Sequence, residues 1–108
     1  SAVSIKPALI GILGPGDIDG PLSVDTLINC VNFYYEVGWI KNVGVKDGLL
    51  RKLNTIQNYL TNHRIGASIN QLLAFSDQVN NARNVEKVAK EYLESLTKLM
   101  ITRLGRLK

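Results

Sequence analysis

The chain has 108 residues, which suits one domain and is too short for two. Hydrophobic residues make up 45% of it and charged residues 20%, which is ordinary for a globular domain and excludes a disordered chain. The formal net charge is +4, and the single cysteine excludes an internal disulfide bond. Uncharged stretches such as residues 7–16, 26–35 and 65–76 are at most 12 residues long, well short of a membrane helix, so the sequence predicts no membrane span.

The first part of the chain is rich in residues that form turns. All three prolines, Pro7, Pro15 and Pro21, lie there, and no proline follows them. Because proline breaks helix interiors, its absence from the rest of the chain favours helices. We therefore predict an extended lead-in or linker, containing proline and glycine, over residues 1–22 and one helical domain over residues 23–108.

Apolar spacing predicts the first helix at about residues 24–37 and the second at about residues 45–61, with a loop at 41–44 between them. The Ser23 hydroxyl suits the N-cap of the first helix, and Gly38 suits the left-handed position after its last turn. The inward stripes of the two helices are predicted to be Leu27, Ile28, Val31, Tyr34 and Tyr35, and then Leu49, Leu53, Ile56 and Leu60.

Two further helices are predicted at about residues 65–82 and 85–104, with Asn84 as the N-cap of the last helix and Gly105 at its end. Their predicted stripes are Ile65, Ile69, Leu72, Leu73, Ser76 and Val79, and then Val85, Val88, Ala89, Tyr92, Leu96, Leu99, Met100 and Arg103. Four apolar stripes joined by short loops predict an all-α fold, an antiparallel four-helix bundle.

A set of polar and apolar positions in the first three predicted helices resembles a known module. The matching residues are Leu27-Ile28, Val31, the run from Gly38 to Val45, Leu49, Lys52-Leu53, Gln57, Leu60, Ala67, Asn70-Gln71-Leu72, Ala74-Phe75 and Gln78-Val79. Over roughly residues 23–104 the chain resembles the FIMAH domain. The turn at residues 62–64 departs from that family, which usually has small residues there, and the fourth helix is more basic than expected.

The resemblance implies a small helical accessory module that has no catalytic residues of its own. Such modules occur near the C-terminus of multidomain secreted and cell-surface proteins of bacteria and archaea, often hydrolases. The expected location is therefore secreted or cell surface. The expected partners are the neighbouring domains of the parent protein, with a cell-surface polysaccharide or another protein as a further candidate.

Two short patterns suggest chemistry but are better explained structurally. Residues 17–20 have the Asp-x-Asp-Gly start of a calcium loop, but the twelfth position is Ile28 rather than the glutamate that such a loop needs, so an acidic turn is favoured. Cys30 and His63 could form a nucleophile pair. A helix-embedded cysteine is more often a small buried hydrophobe, and His63 lies in a predicted turn exposed to solvent. We predict no catalytic residue, metal site or cofactor.

The candidate ligand-binding residues are one aromatic side chain and a basic C-terminal segment. Trp39 could stack on a sugar or a base, although a capping role at the end of the bundle is favoured. Residues 95–108 contain Lys98, Arg103, Arg106 and Lys108 and no acid, which is typical of a surface for anionic polymers. The alternative is that these cations offset the negative end of the last helix and keep the chain soluble.

Two function classes follow from these features. The first is a non-catalytic accessory module of a larger extracytoplasmic protein, which spaces, stabilises or presents neighbouring domains and binds a surface polymer or protein weakly. The alternative is a small basic helical domain that binds nucleic acid. We disfavour nucleic acid because the basic residues do not alternate with aromatic ones and no helix-turn-helix pattern is present.

Overall fold

The computed structural model describes residues 24–107 as four helices. These are α1 Val24–Glu36, α2 Val43–Thr61, α3 Ile65–Asn81 and α4 Lys87–Gly105. α1 and α2 are antiparallel, because the start of α1 meets the end of α2 in a hydrogen bond from Gln57 to Asp25. The start of α4 likewise meets the end of α3 through Lys90 and Asn80, and the end of α1 through the bridge of Ile40 with Val85. The predicted all-α four-helix bundle is confirmed. The predicted lead-in over residues 1–22, the Ser23 cap and the acidic turn at 17–20 lie outside the described residues.

One continuous core lies between the four helices. It consists of Val24, Leu27, Cys30, Val31, Tyr34, Ile40, Leu49, Leu53, Ile56, Leu72, Phe75, Val79, Ala89, Leu93, Leu96, Met100 and Leu104. The predicted seam of α2 is confirmed at Leu49, Leu53 and Ile56, which are fully buried. The α1 stripe is confirmed except at Tyr35, whose ring is partly exposed and lies under the Lys46 ammonium group.

The inward faces of α3 and α4 differ from the predicted stripes. In α3 the buried positions are Ser68, Leu72, Phe75 and Val79, whereas Leu73 is 49% exposed. In α4 they are Ala89, Leu93, Leu96, Thr97, Met100 and Leu104, so the predicted positions Val88, Tyr92, Leu99 and Arg103 lie only at the margin of the core. The buried hydroxyls of Ser68 and Thr97 donate to the carbonyls of Arg64 and Leu93 one turn earlier, which satisfies them inside the core.

One asparagine caps a helix without having been predicted to, and the predicted asparagine cap does not form. Asn42 is the N-cap of α2, because its side-chain oxygen accepts the Val45 N–H at 3.1 Å, so α2 begins two residues earlier than predicted. The predicted N-cap Asn84 is wrong, since its backbone is left-handed with φ of 64° and α4 begins only at Lys87. Short polar side chains tolerate both conformations, and the sequence alone does not distinguish them.

The same C-terminal capping motif closes α1 and α2. At the end of α1, Gly38 has φ of 82°, and the N–H groups of Gly38 and Trp39 donate to the carbonyls of Tyr35 and Tyr34. This is a Schellman motif, and the Trp39 ring stacks on Tyr34 as its apolar contact. The predicted left-handed position of Gly38 is confirmed.

At the end of α2 the left-handed residue is His63, with φ of 59°. Its N–H and that of Arg64 donate to the carbonyls of Leu60 and Tyr59, and the Arg64 guanidinium lies 5.0 Å from the Tyr59 ring centroid. The departure at residues 62–64 therefore keeps the turn geometry of a small residue but places a side chain in a strained conformation.

We predict that His63→Gly will stabilise the domain by about 0.5–1 kcal/mol, because glycine adopts the left-handed conformation without the Cβ clash. The free energy of unfolding in urea measures the change. The control is Asn62→Gly at the adjacent position, where φ is −92°, so glycine relieves no strain, adds chain entropy to the unfolded state and removes the hydrogen bond from the Asn62 side chain to the Asn58 carbonyl. A His63→Gly variant no more stable than Asn62→Gly would contradict this account.

Candidate functional site

A short cross-link joins the turn after α1 to the turn before α4. Ile40 and Val85 form an isolated antiparallel bridge, in which the Lys41 N–H donates to the Asn84 carbonyl and the Glu86 N–H donates to the Trp39 carbonyl, each at 2.8 Å. The Lys41 ammonium lies 2.7 Å from the Glu86 carboxylate. We call residues 39–41 and 84–86 the clasp, and the end of the bundle that contains them the clasp end.

Trp39, a candidate ligand residue, packs within the clasp end. Its ring stacks on Tyr34 with a centroid distance of 5.6 Å and on Tyr92 with a distance of 6.4 Å. Tyr34 is buried, and the Trp39 and Tyr92 rings are half-buried. These contacts support the capping interpretation of Trp39, because the ring surface that could stack on a ligand contacts Tyr34 and Tyr92 instead.

An open groove of about 320 Å³ lies beside the clasp, between the start of α2 and the end of α3. Its lining consists of Gly44, Val45, Gly48, Leu49, Gln78, Asn81 and Ala82 and contains no charged side chain. A Cβ atom at Gly48 would lie 3.3 Å from the Gln78 amide nitrogen, so glycine allows the Gln78 side chain to approach α2 closely. Sequence analysis missed this groove, although the Gly-x-x-x-Gly spacing places both glycines on one face of α2.

Cys30 and His63 do not form a catalytic arrangement. Burial raises the pKa of the Cys30 thiol, while its hydrogen bond with Tyr34 lowers it by a smaller amount. His63 is exposed in the turn between α2 and α3. The described residues contain no group of three or more His, Cys, Asp or Glu side chains that could hold a metal ion. A thiol held protonated by burial is a poor nucleophile.

The pair formed by Cys30 and Tyr34 predicts a loss of stability at alkaline pH. Burial, followed by the Coulombic effect of Cys30, raises the pKa of the Tyr34 hydroxyl too. Below the ordinary pKa values of 9.0 and 10.0, both groups are protonated in the folded and unfolded chains, so their contribution is constant. Above them the unfolded chain releases protons that the folded chain keeps, and the free energy of unfolding falls as pH rises.

Thermal melts between pH 8 and pH 11 measure this fall. Cys30→Ala and Tyr34→Phe each remove one titrating group and should flatten the decline, whereas Tyr35→Phe removes a partly exposed hydroxyl and serves as the control. Equal slopes in all four proteins would show that the buried pair does not cause the alkaline loss.

The remaining candidate ligand residues that the structure describes lie at the opposite end of the bundle from Trp39. Lys98 and Arg106 are exposed on and just after α4, Arg103 is half-buried there and engaged in contacts, and Lys108 lies outside the described residues. Trp39 and the basic residues of α4 therefore do not form one site. Trp39 follows the end of α1, which meets the start of α4, whereas the basic residues lie towards the end of α4.

Arg64 lies at the same end of the bundle as these cations, which sequence analysis did not predict. The Lys90 ammonium donates to the Asn80 carbonyl at 3.0 Å, which fixes the level of α4 against α3. Since both helices rise about 1.5 Å per residue in opposite directions, Arg64 lies level with the end of α4. We call Arg64, Lys98, Arg103 and Arg106 the basic end.

The net positive charge of the described residues is concentrated at this basic end. Asp25 is the one acid in that half of the described bundle, and it accepts a hydrogen bond from Gln57 at 3.0 Å. In the clasp half the charges balance: Lys41, Lys46, Arg51, Arg83, Lys87 and Lys90 lie among Glu36, Asp47, Asp77, Glu86, Glu91 and Glu94. The basic end is therefore the part of the described surface suited to an acidic partner.

Most polar residues of the family-like pattern serve the bundle itself. Asn42 caps α2, and the Lys52 ammonium on α2 donates to the Gln71 side-chain oxygen on α3 at 3.1 Å. Gln57 links α2 to α1 through Asp25, and Gln78 lines the groove against Gly48. These residues hold neighbouring helices at a fixed level, so the pattern describes a scaffold.

Comparisons with known proteins agree with this architecture. The model of the FIMAH domain family matches residues 16–102, which is most of the chain. No curated protein and no solved structure matches it. No helix among the described residues is long and apolar enough to cross a membrane. FIMAH is a family of small accessory domains, and this chain belongs to it.

Proposed function

We propose that the protein is a non-catalytic accessory module of a larger extracytoplasmic protein, where it spaces and stabilises neighbouring domains. The observation that supports this proposal is the structural role of the polar side chains in the FIMAH-like pattern. Asn42, Lys52, Gln57 and Gln71 each make a cap or a contact between helices. Polar residues that hold the helices together indicate that the domain acts as a rigid unit rather than as a catalyst.

The topology supports a spacer that is held at one end. The end of α1 and the start of α4 meet in the clasp. Since the two helices are antiparallel, the start of α1 and the end of α4 both lie at the basic end. Neighbouring domains attached there approach Arg64, Lys98 and Arg106. We infer that their contact surface is acidic, and that the clasp end points away from the attachment.

A binding experiment tests this orientation. The chain is titrated into the domain that precedes it in the parent protein, and is pelleted with insoluble cell-wall polysaccharide, at 20 and 300 mM NaCl. We expect binding to the neighbouring domain at low salt, weakened about tenfold by Lys98→Glu with Arg106→Glu. The matched control reverses two cations of the clasp end, Arg83→Glu with Lys87→Glu, and should bind normally. Equal loss in both variants would contradict the proposed orientation, and no binding to either material would leave the spacer role without a contact surface.

The basic end also favours a second candidate, nucleic-acid binding. Neutralising phosphates releases counterions, so affinity would fall steeply with added salt. Glu94 lies one turn before Lys98 on α4, which limits how far a basic surface extends along that helix. A gel shift with duplex DNA and with single-stranded RNA at 20 mM NaCl decides between the candidates, and retardation that Lys98→Glu with Arg106→Glu abolishes would establish the second.

A further inference from the structure

The groove between α2 and α3 has two chemically different walls. The α2 wall presents two glycines and the hydrocarbon of Val45 and Leu49, whereas the α3 wall carries the side-chain amides of Gln78 and Asn81. These amides are three residues apart on one helix, so they are neighbours on its surface. Each amide group offers two hydrogen-bond donors and an acceptor oxygen. A ligand in the groove can therefore pack against one wall and hydrogen-bond to the other.

Gln78 has hydrogen-bonding capacity that the bundle does not use. Its side chain is half-buried, but it makes no hydrogen bond with any other residue that the structure describes. Gln57 and Gln71 differ from it, because each of them forms a hydrogen bond between helices. Since half-burial limits contact with water, an amide without a partner at this position costs stability. The Gln78 amide is therefore available to a ligand in the groove.

Gly48 keeps the α2 wall open beside this amide. It lies in the interior of α2, where glycine is less favourable than alanine. A Cβ atom there would lie 3.3 Å from the Gln78 amide nitrogen, closer than an ordinary contact, and would narrow the groove. The glycine thus lowers the stability of the helix and preserves the space. A local cost of this kind is expected at functional positions.

The chemistry of the lining selects the class of ligand. No charged side chain lines the groove, so an ionic ligand would lose hydration there without gaining a counter-charge. A wholly apolar ligand would cover the amides and leave them unpaired. A sugar ring meets both requirements, because it carries neutral hydroxyl groups and an apolar C–H face. The volume of about 320 Å³ lies at the lower limit of small-molecule sites, and the opening to solvent allows a longer glycan to continue outside.

We propose that this groove binds a short segment of a neutral glycan, with Gln78 and Asn81 hydrogen-bonded to its hydroxyl groups and Val45 packed against a sugar ring. The site lies beside the clasp, away from the basic end, and it does not depend on the spacer role. Because neither the lining nor the ligand is charged, binding should not change with salt.

A titration followed by backbone amide NMR tests the site on the full chain. The probes are maltotriose, cellotriose and tri-N-acetylchitotriose, each added to 10 mM, because all three are neutral. We expect at least one of them to shift the signals of residues 44–49 and 78–82, equally at 20 and 300 mM NaCl. Gln78→Met keeps the length of the side chain without its amide and should weaken binding about tenfold. Gly48→Ala narrows the groove and should have a similar effect.

Two matched controls leave the groove unchanged. Gly66→Ala makes the same substitution where a Cβ atom meets nothing within 4 Å. Asn80→Ala removes an amide next to Asn81 that does not line the groove. Both controls should bind the sugar like the wild type, and thermal melts of all four variants show that they are folded.

The proposal is overturned if none of the three sugars shifts the groove signals, or if Gln78→Met and Gly48→Ala bind like the wild type. It also fails if tenfold dilution of the chain alone moves these signals, which would assign the groove to a second copy of the chain. Tighter binding of an N-acetylated, amidated trialanine peptide than of any sugar would overturn it as well. None of these outcomes bears on the spacer role, whose test is the salt-dependent contact at the basic end.

Discussion

Leu72→Ala will lower the free energy of unfolding by about 2–4 kcal/mol, the largest effect of any single change considered for this protein. Leu72 has 0% exposure and lies on the inward face of α3, one turn before the fully buried ring of Phe75. Removing its side chain takes apolar contacts from α3 and leaves a cavity that antiparallel helices cannot close without shifting. Urea unfolding followed by circular dichroism measures the loss.

The neighbouring leucine provides a matched control. Leu73 is 49% exposed and points about 100° away from Leu72 around the helix axis. Leu73→Ala should therefore change the free energy of unfolding by about 0.5 kcal/mol or less. The apolar spacing of α3 allows either leucine to face the core, so comparable losses in the two variants would show that the helix is rotated relative to the structure.

The number, order and approximate limits of the helices could be predicted from the sequence, because each depends on local chemistry. The lack of proline after Pro21 and the narrow seam of Leu49, Leu53 and Ile56 allow one periodic solution. Gly38 predicts the left-handed turn that ends α1, because glycine adopts that conformation without strain. In α3 and α4, leucine and other apolar residues occupy more than one face, so periodicity alone cannot choose the inward one. The helices packed against them make that choice.

The contacts that define the candidate site are mostly distant in sequence, and this limits what could be predicted. Lys98, Arg103 and Arg106 stand out as a basic segment, but Arg64 joins them only because α3 and α4 are antiparallel. Pairing of the two clasp turns likewise depends on the completed bundle. Asparagine before a helix fits a cap or a left-handed turn, so only the surrounding backbone separates Asn42 from Asn84.

Trp39→Ala is expected to destabilise the domain by about 2–3 kcal/mol, because the ring stacks on Tyr34 and Tyr92 and provides the apolar contact of the α1 Schellman motif. The backbone hydrogen bonds of the clasp do not involve the Trp39 side chain, so they remain available in the variant. Circular dichroism measures unfolding here, since the change removes the chain's single tryptophan and its fluorescence.

Two comparisons separate this structural role from a ligand-binding one. Trp39→Phe keeps an aromatic ring against Tyr34 and should recover more than half of the lost stability. Tyr35→Ala removes a neighbouring ring that is 36% exposed and should cost about 1 kcal/mol or less. A residue kept for stacking on a ligand would show the opposite result, with Trp39→Ala as stable as the wild type. In that case the aromatic stack at the clasp end would have to be reassigned from the core to a binding surface.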